Sequence, residues 1–147
     1  MTEQAPNEGA NANSPEKIGQ FVTREWIDNK RIVHFRLYSI TRDAIDEWIN
    51  SSRETFLQWP AHEPILIVHD FTESGALSLT PYIRKRATEL ANVRPELMGR
   101  AAIVFPRTIG AQAAKIFVLI SLQKHRVRRV FFTVDEALGW LRNSDAE

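Results

Sequence analysis

The chain contains no cysteine. That excludes disulfides, thiolate metal sites and a cysteine nucleophile. Long apolar runs are missing as well. The longest unbroken ones, Ala101 to Phe105 and Ile116 to Ile120, fall far short of the ~20 residues that a membrane helix needs. The N-terminus lacks the charged head and apolar centre of a signal peptide. Net charge is +1 over 147 residues, so the chain as a whole exerts little pull on nucleic acid or on a membrane. The simplest expectation is a soluble cytoplasmic protein that binds neither.

Complete catalytic motifs are also absent. Gly75 alone makes no phosphate loop, and neither a Walker nor a dinucleotide glycine pattern occurs. Ser74 or Ser78 with His69 and Asp70 contains the residue types of a nucleophile triad. However, no Gly-x-Ser-x-Gly elbow exposes a serine. His69 and Asp70 are neighbours on an expected strand, so they point to opposite faces and do not form an acid–base pair. His34, His62 and His125 have no metal-ligand spacing. We therefore expect no enzyme, no metal and no cofactor.

What is present is ordinary globular material: 44% apolar and 25% charged residues, enough for one domain with a substantial core. Met1 to Lys17 is rich in Asn, Glu, Pro and Gly and has almost nothing to bury. It reads as a flexible tail, with one folded domain over residues 18–147. The tail holds Glu3, Glu8 and Glu16 against Lys17, which leaves the body mildly basic.

Ile65 to Pro81 is the stretch around which the rest is organised. Ile65-Leu66-Ile67-Val68 is β-branched and apolar without alternation, as in a strand buried on both faces of a parallel sheet. His69-Asp70 and a glycine-containing loop follow. Thr80-Pro81 then opens a helix, with Thr80 as N-cap and Pro81 at the first helical position. In open α/β sheets, sites gather where such strands end. Ile83, Ala87, Leu90 and Ala91 mark the buried face of that helix. Arg84, Lys85 and Arg86 near its start read either as a docking patch or as a solvated face with Glu89 as counter-charge.

Before this stretch, Ile18 to Ile27 and Arg31 to Leu37 read as strands joined by the turn Asp28-Asn29-Lys30. His34 falls on the more polar side and reads as a surface strand residue. Thr41 caps a helix whose apolar face is Ile45, Trp48, Ile49, Ser52 and Phe56. Trp48 and Trp59 read as core. After the central stretch come a short buried strand, Ala101 to Phe105, and a helix over Ile109 to Lys124. The apolar second half of that helix, around Phe117 and Ile120, offers a homodimer face. Val127 to Phe132 is the last strand, and Thr133 with Glu136 forms a capping box for the last helix. The run Lys124 to Arg129 reads as a solvated cationic stretch rather than as a nucleic-acid footprint, because it has no interleaved aromatics.

The fold class is thus α/β: an N-terminal hairpin, then four successive βα units, giving a mostly parallel sheet flanked by helices. This order, with IVHDFTESGALSLTP at its centre and EALGWL near its end, resembles the STAS or SpoIIAA-like family over about Ile18 to Leu141. The closing TVDEALGWL is similar to the uncharacterised SpoIIAA-like branch. In the anti-sigma-factor antagonists of that family, a strand ending Asp-Leu-Ser leads to an Asp-Ser-Ser-Gly loop at a helix start, where a partner kinase phosphorylates a serine. Asp70-Phe71-Thr72 matches the first part; Ser78-Leu79-Thr80-Pro81 stands at the second, without its aspartate and glycine.

The resemblance implies a non-catalytic regulatory or protein-interaction module in bacterial signalling. Its partner would be a protein such as a kinase or an anti-sigma-like regulator. Asp70, Thr72, Ser78, Thr80, Arg84 and Lys85 are the candidate regulatory residues. The alternative is a sensor of a small or lipid-like molecule held in a pocket between sheet and helices.

Overall fold

A computed structural model describes residues 14–75, 80–109 and 126–143. Within them lie β1 (Glu16–Lys17), β2 (Val22–Ile27), β3 (Ile32–Leu37), α1 (Arg42–Leu57), β4 (Ile65–Asp70), α2 (Pro81–Ala91) and β5 (Gly99–Val104). A single 3-10 turn (Arg107–Ile109), β6 (Arg126–Phe131) and α3 (Val134–Arg142) complete the described chain. The helix expected over Ile109 to Lys124, its proposed dimer face and Ser78 lie outside the described residues, apart from Ile109 at the end of the 3-10 turn.

The six strands form one sheet in sequence order. β1, β2 and β3 are antiparallel neighbours; β3 to β6 are parallel. The α/β, mostly parallel architecture is as the sequence pattern requires. The order gains a short leading strand: Glu16 and Lys17, at the end of the expected tail, pair with Arg24 and Thr23. Residues 18–21 are accordingly a turn rather than the start of β2. Glu47 of α1 holds that turn, accepting from the backbone N–H groups of Gln20 at 3.0 Å and Phe21 at 2.9 Å.

Local chemistry explains the element ends. Asp28, Asn29 and Lys30 all adopt positive φ, the left-handed backbone that a tight hairpin needs and that Asp and Asn tolerate best. Thr41, Thr80 and Thr133 cap the three described helices by accepting from Ala44, Ile83 and Glu136 backbone N–H groups.

Alternation along the strands divides the core in two. Val33, Phe35, Ile67 and Ala101 face α1 and α2. Ile32, Leu66, Val68, Ala102 and Val104 face α3 through Ala137 and Leu141. Strand β4 is buried at all six positions because helices cover both of its faces. α1 and α2 share a face because both crossovers are of one hand and step the same way along the sheet. Burying a side chain such as Phe35 completely stabilises the fold by about 1.5–3 kcal/mol.

Gly99 starts β5 with φ +154, against the backbone of Ile65. A Cβ there would overlap the Ile65 carbonyl and impose a backbone that L-residues avoid. Gly99→Ala should therefore cost roughly 2–4 kcal/mol of stability, read by urea unfolding. A loss below 1 kcal/mol, on the order of a surface change, would contradict this packing.

Candidate functional site

The C-terminal end of β4 carries two different environments, one on each face of the sheet. On the α3 face, Asp70 is completely buried. Its Oδ2 accepts from His34 Nε2 and Arg36 Nε, each at 2.8 Å. Its Oδ1 accepts from the Thr72 backbone N–H at 2.8 Å and from the Thr72 hydroxyl at 2.7 Å. Burial pushes the Asp70 carboxyl up, but the bonds from His34, Thr72 and Arg36 together hold it well below the usual carboxylate range. A carboxylate so committed is a weak base. It is a latch that joins β3, β4 and the loop after β4.

His34 is therefore not the surface residue that its polar strand neighbours suggested: it is only 5% exposed. The register explains why. His34 and Arg36 lie on the same face as Asp70, and β3 pairs Arg36 directly with Asp70. Glu25 of β2 stands opposite His34, with Oε1 3.8 Å from Nδ1. His34 and Arg36 are the residues that a motif search misses. Their i, i+2 spacing on one strand, beside an acid at the end of the next, is the signal that finds them.

On the other face, His69 is buried against α1. The Trp48 indole N–H donates to His69 Nδ1 at 2.9 Å. Because an indole nitrogen only donates, Nδ1 is the acceptor and the neutral ring carries its proton on Nε2. Burial pushes the imidazole down to about 3, with the charges of Arg128 and Arg126 adding to the effect. His69 and Asp70 thus work on opposite faces, as expected. The Ser74 hydroxyl donates to the Phe71 carbonyl at 2.9 Å, so no triad assembles around His69 among the described residues.

Beside His69, between the sheet and helices α1 and α2, lies a cavity of about 110 Å³. Trp48, Phe56, Phe71 and Phe105 give it aromatic walls. Ala87 and Ala91 of α2 and Ala101 of β5 make the space, because small side chains meet where larger ones would fill the gap. Arg126 and Arg128 of β6 reach its lining. The cationic run is thus split by alternation: Arg126 and Arg128 turn to the cavity, while Arg129 of the opposite face packs over Phe131 and Trp140. Trp48 is buried core as expected, but it also lines this space. Trp59 instead packs near Trp26 and donates to the Pro64 carbonyl at 3.1 Å.

Of the sequence-derived candidates that lie among the described residues, only Asp70 and Thr72 are joined. Thr80 serves as the cap of α2, its hydroxyl oxygen 3.2 Å from Ile83 N. Arg84 and Lys85 are exposed on the outer side of α2. Arg86 is engaged with Asp46, Glu89 and Asn50. Among the described residues no group of acids and histidines is arranged to hold a metal, and no helix is long and apolar enough to cross a membrane. No family model matches the chain, and no curated protein or solved structure matches it either.

Two outcomes follow. Asp70→Asn puts an amide N–H against donors that need an acceptor, and should cost roughly 3 kcal/mol; an unchanged urea midpoint would show that the latch carries no weight. His69 is neutral when folded but binds a proton at its ordinary pKa of 6.5 when unfolded. The unfolded state then holds more protons, so its share of stability is complete above pH 6.5 and is lost as pH falls toward about 3. At about 1.4 kcal/mol per pH unit, the fall from pH 6.5 to 5 costs roughly 2 kcal/mol. His69→Gln, which still offers Trp48 an acceptor, should flatten the profile between pH 7 and 5 by that amount. An identical slope in the variant would refute the assignment.

Proposed function

We propose that this chain is a non-catalytic, ligand-binding regulatory module of the STAS or SpoIIAA-like kind. The observation that carries the reading is the cavity of about 110 Å³ beneath α2, walled by aromatics and floored by alanine. Dry apolar cavities of about 150 Å³ hold a benzene ring, so this space suits a body of five or six carbons. The initial antiparallel strands, the parallel run in sequence order and the Thr133 capping box support the family reading. The commitment of Asp70 to four hydrogen bonds supports a non-catalytic role.

A protein partner fits the same reading through the opposite side of α2. Ile83 and Ala87 of this helix line the cavity. Arg84 and Lys85 are exposed and make no ion pair among the described residues. A molecule held beneath the helix and a partner held above it would thus share one element, and a shift of that helix favoured by one of them would couple the two sites.

The test uses 1-hexanol, a neutral probe, in ligand-observed NMR and in titration of tryptophan fluorescence. The parent should bind it. Ala101→Leu should abolish binding and, by filling the space, raise stability by about 0.5–2 kcal/mol. Failure of the parent to bind, or equal binding by the variant, would dispose of the cavity as a ligand site.

A further inference from the structure

The electrostatics of the cavity go further than its shape. Two guanidinium groups line it, and no carboxylate does among the described residues. Residues 110–125, which connect β5 to β6, contain no aspartate or glutamate in their sequence. The two arginines differ in what holds them. Arg126 is committed to the fold: its Nη atoms donate to the carbonyls of Ala91, Val93, Arg94 and Leu97 at 2.7 to 3.4 Å, closing the end of α2. It also lies over the Phe56 ring, with its guanidinium carbon 5.0 Å from the ring centroid. Glu96 acts on Arg126 from a distance, but it is exposed and bonded to Arg94 at 3.0 Å.

Arg128 has one hydrogen bond among the described residues, from Nη1 to the carbonyl of Arg126 at 3.1 Å. The rest of its donors have no described protein acceptor. Burial, with the Arg126 charge added, pushes it down to about 10, so it keeps its proton at neutral pH. Arg128 is half-buried, and its open donors beside a second cation form a setting that an anion would stabilise. His69 adds a further open donor in the same lining. Its Nδ1 is occupied by Trp48, and its Nε2–H has no hydrogen-bond partner among the described residues.

We propose that the cavity is a site for a small organic carboxylate with an apolar body, and that Arg128 is its anchor. The carboxylate takes the free edge of the guanidinium in a two-point hydrogen bond. The His69 Nε2–H is the second donor. The body of the ligand lies among Trp48, Phe71, Phe105 and Ala101. Arg126 contributes charge but few donors, since its own are spent on α2. This inference rests on the ligand-binding reading above and sharpens it to a chemical class.

The experiment compares hexanoate with 1-hexanol, which share a six-carbon chain and differ in the charged end. Both are titrated into the full chain at pH 7.5. Hexanoate should bind about tenfold more tightly than hexanol, as a charge-assisted two-point contact implies. Arg128→Gln should bring the two affinities together while leaving hexanol binding in place. Arg128→Lys should recover part of the preference. Equal binding of the two probes to the parent would overturn the carboxylate assignment and leave the apolar pocket standing. A preference that survives Arg128→Gln would overturn Arg128 as the anchor. Binding of neither probe to the parent would remove both this inference and the reading beneath it. If Arg128→Gln fails to fold, the parent's own ratio and the Arg128→Lys variant decide.

Discussion

A buried carboxylate cannot stay charged without donors, and the α3 side of this sheet is arranged around that constraint. Asp70 sits at the end of β4, out of contact with water. Its desolvation is offset by three residues from two places: His34 and Arg36 on β3, and Thr72 in the following loop. The two β3 partners depend on the sheet register, because a one-residue slip of β3 would turn both His34 and Arg36 to the other face. The latch therefore specifies pairing as well as stabilising it. Its net energy is smaller than the sum of its bonds, since two charged groups gave up solvent to make it.

The opposite face of β4 meets a different constraint. There the sheet is covered by α1 and α2, and the surroundings are aromatic and aliphatic. An imidazole in that setting stays neutral, and Trp48 fixes its tautomer. Two adjacent residues on one strand thus have their ionisation pushed the same way on the pH scale for different reasons. Asp70 is held charged by donors; His69 is held neutral by burial. Neither state could be inferred from the dipeptide, because the two side chains point to opposite faces of the sheet and take their hydrogen bonds from different residues.

Much of the fold was legible in the chain. The apolar run Ile65 to Val68, the three threonine caps and the Asp28-Asn29-Lys30 turn are local signals, and each is obeyed locally. What was illegible depends on pairing. The short β1 strand carries no pattern of its own; it exists because the turn before β2 is tied to Glu47 of α1. His34 looked like a surface residue because its burial is supplied by Asp70, 36 positions away. The run Lys124 to Arg129 looked like one charge cluster because a linear run hides period-two alternation, which in β6 separates Arg126 and Arg128 from Arg129. The cavity was the least visible feature. It arises where alanines of α2 and β5 coincide in space, which no sequence window reports.

The two faces are joined at one residue. Phe71 follows Asp70 and precedes Thr72, and those two neighbours are tied to each other by two hydrogen bonds. Its ring lines the cavity, stacks on Phe105 at 5.4 Å and meets Trp48 edge-on at 5.2 Å. Its carbonyl also accepts from the Ser74 hydroxyl. The backbone of Phe71 is thus fixed from both sides while its ring borders the space beneath α2. An occupant of that space would act first on the ring, and the backbone would yield only if the occupant offset the loss of the Asp70–Thr72 bonds. Charge-assisted bonds of this type contribute about 1.5–3 kcal/mol each. A weakly held occupant would therefore repack the aromatic wall and leave the loop in place. Movement of the loop requires an occupant whose differential affinity for the two arrangements exceeds the strength of the latch. Under the proposed ligand-binding reading, that threshold would be set by Asp70 rather than by the aromatic wall.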